Sequence, residues 1–147
     1  MKRYILFIGI AFLSVSCIDW GLDELPLHDD AEIVSFTFEY RYPVTNVNGF
    51  ERLEYKILTN TMTITDGQVT SVLTVPPPSG TFTAEIASQI DLDNIVGYAS
   101  ISNAATIEPV DGPVLGKIGD FSQPVRYKVT APSGASKIWT VTTTLSD

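Results

Sequence analysis

From residue 31 onward, apolar and polar residues change places at every second position. Val34, Phe36, Phe38, Tyr40 and Tyr42 alternate with Ser35, Thr37, Glu39 and Arg41, a period of two that predicts a half-buried strand ending at Pro43. Leu53, Tyr55 and Ile57 alternate with Glu54 and Lys56 in the same way, which predicts a second strand with those three on its apolar face. The segments 60–65 and 68–75 flank Asp66-Gly67, a pair suited to the two positive φ values of a type I′ turn, so they predict a hairpin. Pro76, Pro77 and Pro78 then stop the second arm, because proline has no amide to donate to a ladder.

Phe82, Ala84 and Ile86 predict a further strand, 91–94 a short loop or helical turn, and 95–101 another strand. Val125, Tyr127 and Val129 alternate with Arg126, Lys128 and Thr130. After a Pro- and Gly-containing turn, Lys137, Trp139, Val141 and Thr143 share one face, with Thr140, Thr142 and Thr144 on the other. No stretch after residue 17 carries a helical period of useful length. The expected fold is all-β, an antiparallel immunoglobulin-like β-sandwich of about seven or eight strands, with a small β-barrel as the alternative.

The first residues follow a different rule. Lys2 and Arg3 precede an apolar run from Tyr4 to Leu13, too short for the ~20 residues of a membrane-spanning helix and the right length for an export signal. Leu13-Ser-Val-Ser-Cys17 resembles a bacterial lipobox, with Ser14 where such boxes usually carry Leu or Val. The resemblance implies cleavage before Cys17 and lipidation of its thiol. Cys17 is the only cysteine, so no disulfide can form within one chain. A diacylglycerol plus an N-acyl chain supplies the two anchors that stable membrane attachment requires.

The chain therefore divides into a signal peptide (1–16), a lipidated Cys17 with an acidic tether (17–30) and a sandwich domain (31–147). The thirteen residues from Ile18 to Asp30 could span about 40 Å at ~3.3 Å per residue. Trp20 in this tether suits either a membrane-interface anchor or a contact with the domain. Asp19, Asp23 and Glu24 resemble the acidic patch that sends some lipoproteins to the outer face of the outer membrane, so surface exposure is expected, with a periplasm-facing anchor as the alternative. Without the signal, seven basic residues face seventeen acidic ones, a net charge of −10 that argues against nucleic acid as a partner.

The C-terminal half also carries a recognisable series. T-I-E-P at 106–109, Gly112, D-F-S-Q-P-V-R-Y-K-V-T-A at 120–131, Ser133-Gly134 and K-I-W-T-V at 137–141 resemble immunoglobulin-like domains of unknown function in Bacteroidetes cell-surface lipoproteins. A-E-I-V-S-F-T-F at 31–38 matches the way such domains begin, so the resemblance spans 31 to 145. This chain departs from the pattern in a longer 39–70 stretch and in a Gly-rich loop from Asp111 to Gly119. The signature implies packing roles: Phe121 as a plug at the sandwich end, Pro124 at the start of a strand, and Tyr127 paired with Trp139 across the last hairpin. It implies no catalytic residue.

The residues offer little for chemistry. His28 is the only histidine and lies in the tether, so no Ser/His/Asp or Cys/His arrangement can assemble and no histidine-based metal site is expected. Glu51/Glu54 and Asp91/Asp93 are carboxylate pairs of the kind glycoside hydrolysis uses, but their contexts read as solvated surface, and Asp91-x-Asp93-Asn94 lacks the spacing of a calcium loop. No enzyme activity, cofactor or metal is expected. Aromatic side chains are the candidate ligand contacts: Phe50, Tyr42, Tyr55 and Tyr98, with Tyr40 beside them, could stack on sugar rings, although in a sandwich most such residues are core. Phe50, beside Asn46-Val-Asn-Gly49, is the least core-like.

The expectation is an outer-membrane-anchored accessory lipoprotein with a non-catalytic domain that binds glycan or protein at the cell surface. The alternative is a structural spacer or assembly subunit, favoured by a sequence that ends just after its last strand. Cys17→Ala is expected to move the protein out of the membrane fraction on cell fractionation, and its retention there would count against the anchor.

Overall fold

The computed structural model describes residues 28–146, so Cys17, Trp20, the signal peptide and most of the tether lie outside the described residues. Among the described residues, nine strands form two stacked sheets. The first contains β1 (Ile33–Thr45), β2 (Glu51–Ile57), β5 (Ile95–Ile101) and β7 (Ile118–Gly119) in the order β2-β1-β5-β7. The second contains β3 (Thr59–Thr65), β4 (Gln68–Thr74), β6 (Thr106–Pro109), β8 (Val125–Thr130) and β9 (Ser136–Ser146) in the order β3-β4-β9-β8-β6. The sheets do not close on one another, so the fold is a β-sandwich and not a barrel. One pairing departs from a purely antiparallel design: β4 and β9 run parallel, joining the middle hairpin to the C-terminal one.

The core is aromatic. Phe36 and Phe38 of β1 pack against Phe121 at ring-centroid distances of 6.3 and 5.2 Å, edge to face in both cases, and Phe36 meets Tyr127 of the opposite sheet at 5.9 Å. Such geometry adds to the burial energy, because the positive ring edge meets the negative ring face. Tyr127 lies opposite Trp139 in the β8–β9 ladder, and both are buried. The Trp139 indole N–H donates to the Ala31 carbonyl at 2.9 Å, tying the start of the domain to its last strand. The Tyr127 hydroxyl donates to the Pro113 carbonyl at 2.8 Å and ties down the 110–119 loop. Gly97 of β5 leaves room for this layer. A Cβ there would sit 2.6 Å from Phe121 Cζ and 2.9 Å from Phe36 Cε1.

Five local expectations change. β1 does not end at Pro43 but continues through it to Thr45, with Pro43 opposite Leu53. A bulge between Ile33 and Ser35 breaks the even-numbered alternation of β1, turning Val34 to solvent and Ile33 into the core. The Asp66-Gly67 turn joins β3 and β4 as a two-residue connection, but among its two residues Gly67 alone has positive φ, at +74°, so it is not type I′. Phe82, Ala84 and Ile86 do not form a strand. Phe82 is buried beside Tyr42, and the chain then makes a single helical turn, α1 (Ala84–Ala87), capped by the Thr83 hydroxyl on the Ile86 N–H.

The fifth change concerns β2, whose apolar face points outward. Leu58 alone separates β2 from β3, is buried, and donates its N–H to the Phe38 carbonyl at 3.0 Å. The chain thus crosses from one sheet to the other without losing its two-residue period. Asn60, Met62 and Ile64 turn toward the interior of β3, so the even positions Glu54 and Lys56 do so in β2. Leu53, Tyr55 and Ile57 are left on the outer surface, each more than 60% exposed.

Gly97→Ala is expected to destabilise the domain by about 1–3 kcal/mol through overpacking against Phe36 and Phe121. Urea unfolding measures this, and an unchanged midpoint would show that the ring layer yields.

Candidate functional site

The outward rows of three neighbouring strands meet on the first sheet. β1 contributes Glu39 and Arg41, β2 contributes Leu53 and Tyr55, and β5 contributes Tyr98; Arg41 lies opposite Tyr55 in the β1–β2 ladder. With Glu54 at the rim, these six residues line a shallow concavity of about 300 Å³.

Its floor is a closed polar network. Arg41 Nε donates to Glu39 Oε1 at 2.8 Å, and an Arg41 terminal nitrogen donates to the Tyr98 hydroxyl at 2.6 Å. That hydroxyl donates in turn to Glu39 Oε1 at 2.8 Å. The hydrogen bond to Glu39, then that to Tyr98, strengthens the hold of Arg41 on its proton, and the bond to Glu39 raises the Tyr98 hydroxyl above its ordinary pKa. Three side chains on two strands are thereby fixed at an exposed surface, with Tyr98 still 37% exposed.

The rim is braced separately. Glu54 accepts from the Thr81 hydroxyl and pairs with Arg52, and the Thr81 bond is the main cause that holds its carboxyl below the usual range. Lys56 donates to Ser79 Oγ at 2.9 Å and lies over the Phe82 ring at 5.2 Å. The 79–82 segment therefore covers the inner side of β2 and leaves the outer side open.

The four candidate aromatics separate. Tyr55 and Tyr98 come together at the concavity. Tyr42 is 4% exposed, stacked on Tyr40 at 6.3 Å and packed against Phe82; its ring is core and has no free face for a ligand. Tyr40 is buried with it. Phe50 is 71% exposed on a turn organised by Asn46, whose side-chain oxygen accepts from the Asn48 and Phe50 amides, but it does not line the concavity.

Glu39, Arg41, Leu53 and Glu54 line the concavity without being among the candidate ligand contacts expected from the sequence. A signal existed for two of them: an acid and a base two positions apart on the outward face of a strand are placed to pair. Asp91 and Asn94 serve their own turn, where Asn94 Oδ1 accepts from the Asp91 amide and Asp91 Oδ1 from the Leu92 amide. Among the described residues no three His, Cys, Asp or Glu side chains gather as a metal site.

A two-sheet sandwich with a solvent-facing aromatic and polar depression on one sheet defines the class of this protein. The chain belongs to the DUF5018-related family, which matches residues 33–142. It is also similar to a crystal structure of a "putative secreted protein" from Bacteroides fragilis NCTC 9343, with 33% identity and a TM-score of 0.74, over 83% of this chain and all of that one. No curated protein matches it.

The depressed carboxyls set an acid limit. Glu54, held by Thr81, and Asp111, held by Arg126, have folded pKa values below their ordinary ones. Their contribution to stability is complete above the ordinary carboxylate pKa and is lost as pH falls through it toward the folded values. Tm is expected to drop between about pH 5 and about pH 3, and Glu54→Gln to flatten that drop. Thermal unfolding across the range checks both, and an unaltered slope in the variant would remove Glu54 from the account.

Proposed function

We propose that this chain is an outer-membrane lipoprotein, anchored through lipid on Cys17 and exposed at the surface, whose non-catalytic sandwich binds glycan at the outward face of β1, β2 and β5. The observation that carries the reading is the placement of Tyr55 and Tyr98 around the Glu39–Arg41 pair. Sugar rings present apolar C–H faces and polar hydroxyl edges, and an aromatic side chain beside a carboxylate and a guanidinium complements both. At about 300 Å³ the concavity is at the small end for a ligand site, the scale of one or two sugar rings. The similarity to a Bacteroides protein named for secretion supports an address outside the cytoplasm.

A second reading, as a spacer or assembly subunit of a surface complex, draws support from Leu53 and Ile57. They are exposed aliphatic residues of a kind that sugars do not need and protein partners use.

A glycan array followed by calorimetry on the best hit tests the first reading. Tyr98→Ala is expected to weaken binding about tenfold or more, equivalent to ~1.4 kcal/mol, with the fold retained by circular dichroism. Absence of any glycan ligand, or binding indifferent to Tyr98 and Tyr55, would overturn it.

A further inference from the structure

β2 is an edge strand, and its free edge carries an ordered pattern. The Asn46 amide donates to the Phe50 carbonyl and the Leu58 amide to the Phe38 carbonyl, bracketing the β1–β2 ladder. Since hydrogen-bonded pairs alternate in an antiparallel ladder, Arg52, Glu54 and Lys56 direct their backbone groups at β1. Glu51, Leu53, Tyr55 and Ile57 direct theirs away from the sheet, where they meet no protein partner among the described residues.

Natural edges are usually protected by charge, bulges or brevity, because a row of unpaired amides and carbonyls is a template for another strand. This one is seven residues long, without a proline or an irregularity in its register, and its outer row is apolar from Leu53 through Tyr55 to Ile57, with Glu51 at its start. Three of its four charges, Arg52, Glu54 and Lys56, alternate in sign along the inner row.

That alternation selects among self-pairings. A two-fold axis at Glu54 would set Leu53 against Tyr55 but Arg52 against Lys56 and Glu54 against itself, so every charged pair of the inner row would be repulsive. An axis at Leu53 would set Arg52 against Glu54 but also Glu51 against Tyr55, and would leave Lys56 and Ile57 unmatched in the strand, as an axis at Tyr55 leaves Glu51 and Arg52. An axis at Tyr55 sets Leu53 opposite Ile57, Glu54 opposite Lys56 and Tyr55 opposite its own copy, so each of these pairs is apolar with apolar or acid with base. The same axis brings the outward amides and carbonyls of Leu53, Tyr55 and Ile57 into register with one another.

We infer that the free edge of β2 pairs antiparallel with the β2 of a second copy about a two-fold axis at Tyr55, joining two four-stranded sheets into one of eight. The interface is isologous and closed, so it ends at a dimer and does not propagate into a fibre. It also lays the two concavities side by side, because Leu53 and Tyr55 line both the site and the edge. The inference stands on the edge pattern and adds to the glycan reading a platform built from two copies.

The test uses residues 18–147, which contain every core residue and ladder described and no cysteine. Sedimentation velocity is expected to show the mass rising toward twice the monomer at about 100 µM, a range suited to a small interface. Ile57→Pro removes an outward amide that β1 does not use and is expected to return the protein to monomer. Single cysteines give the register: under mild oxidation Tyr55→Cys is expected to form a covalent dimer, its Cα atoms ~5.5 Å apart, while Leu53→Cys forms no covalent cross-link.

A wild-type chain that remains monomeric, or a dimer cross-linked through position 53 in preference to 55, would overturn the inference. A monomer that still binds glycan through Tyr98 would overturn it while leaving the binding function intact.

Discussion

Everything on the outer surface of the first sheet depends on the aromatic layer beneath it. Phe36 packs between Phe121 and Tyr127 with Phe38 beside it against Phe121, and Gly97 admits the rings of Phe36 and Phe121 by having no side chain. Strand geometry turns that constraint inside out. With Phe38 and Gly97 paired and pointing inward, their neighbours Glu39 and Tyr98 must point outward, close enough for the Tyr98 hydroxyl to reach the carboxylate. The polar network is the opposite face of the core packing, and a shift of one residue in either strand would bury its charges.

A surface built in this way is stiff. Glu39, Arg41 and Tyr98 satisfy one another before any ligand arrives, and Thr81 and Ser79 hold the neighbouring charges of β2 from the inner side. Binding at such a face needs little ordering of side chains, which lowers the entropic cost of recognition. Phe50 belongs to a different design: it rides on an exposed turn set by Asn46 and stands apart from the network.

Much of the fold was legible along the chain because a half-buried strand writes its burial in alternating letters. The last hairpin, with Tyr127 opposite Trp139, and the middle hairpin around Gly67 follow that pattern directly. The exceptions have physical causes. The bulge after Ile33 inserts one residue that no alternation announces. The Phe82–Ile86 segment mimics a strand with three apolar residues at even positions, yet a Thr83 cap lets it turn helical. In β2 the alternation itself was correct and its sense was inverted, because continuity through Leu58 passes the inward register of β3 back to Glu54 and Lys56.

By itself, the sequence determined the all-β class, the position of most strands and the aromatic core, since each is a matter of local period and residue type. Only the tertiary structure decided that Tyr42 is core while Tyr55 is surface, that Tyr98 meets Arg41 across 57 positions of chain, and that β4 lies parallel to β9. A period of two reveals that a strand has two faces. Which face is covered depends on the layer that packs against it, and that layer comes from elsewhere in the chain.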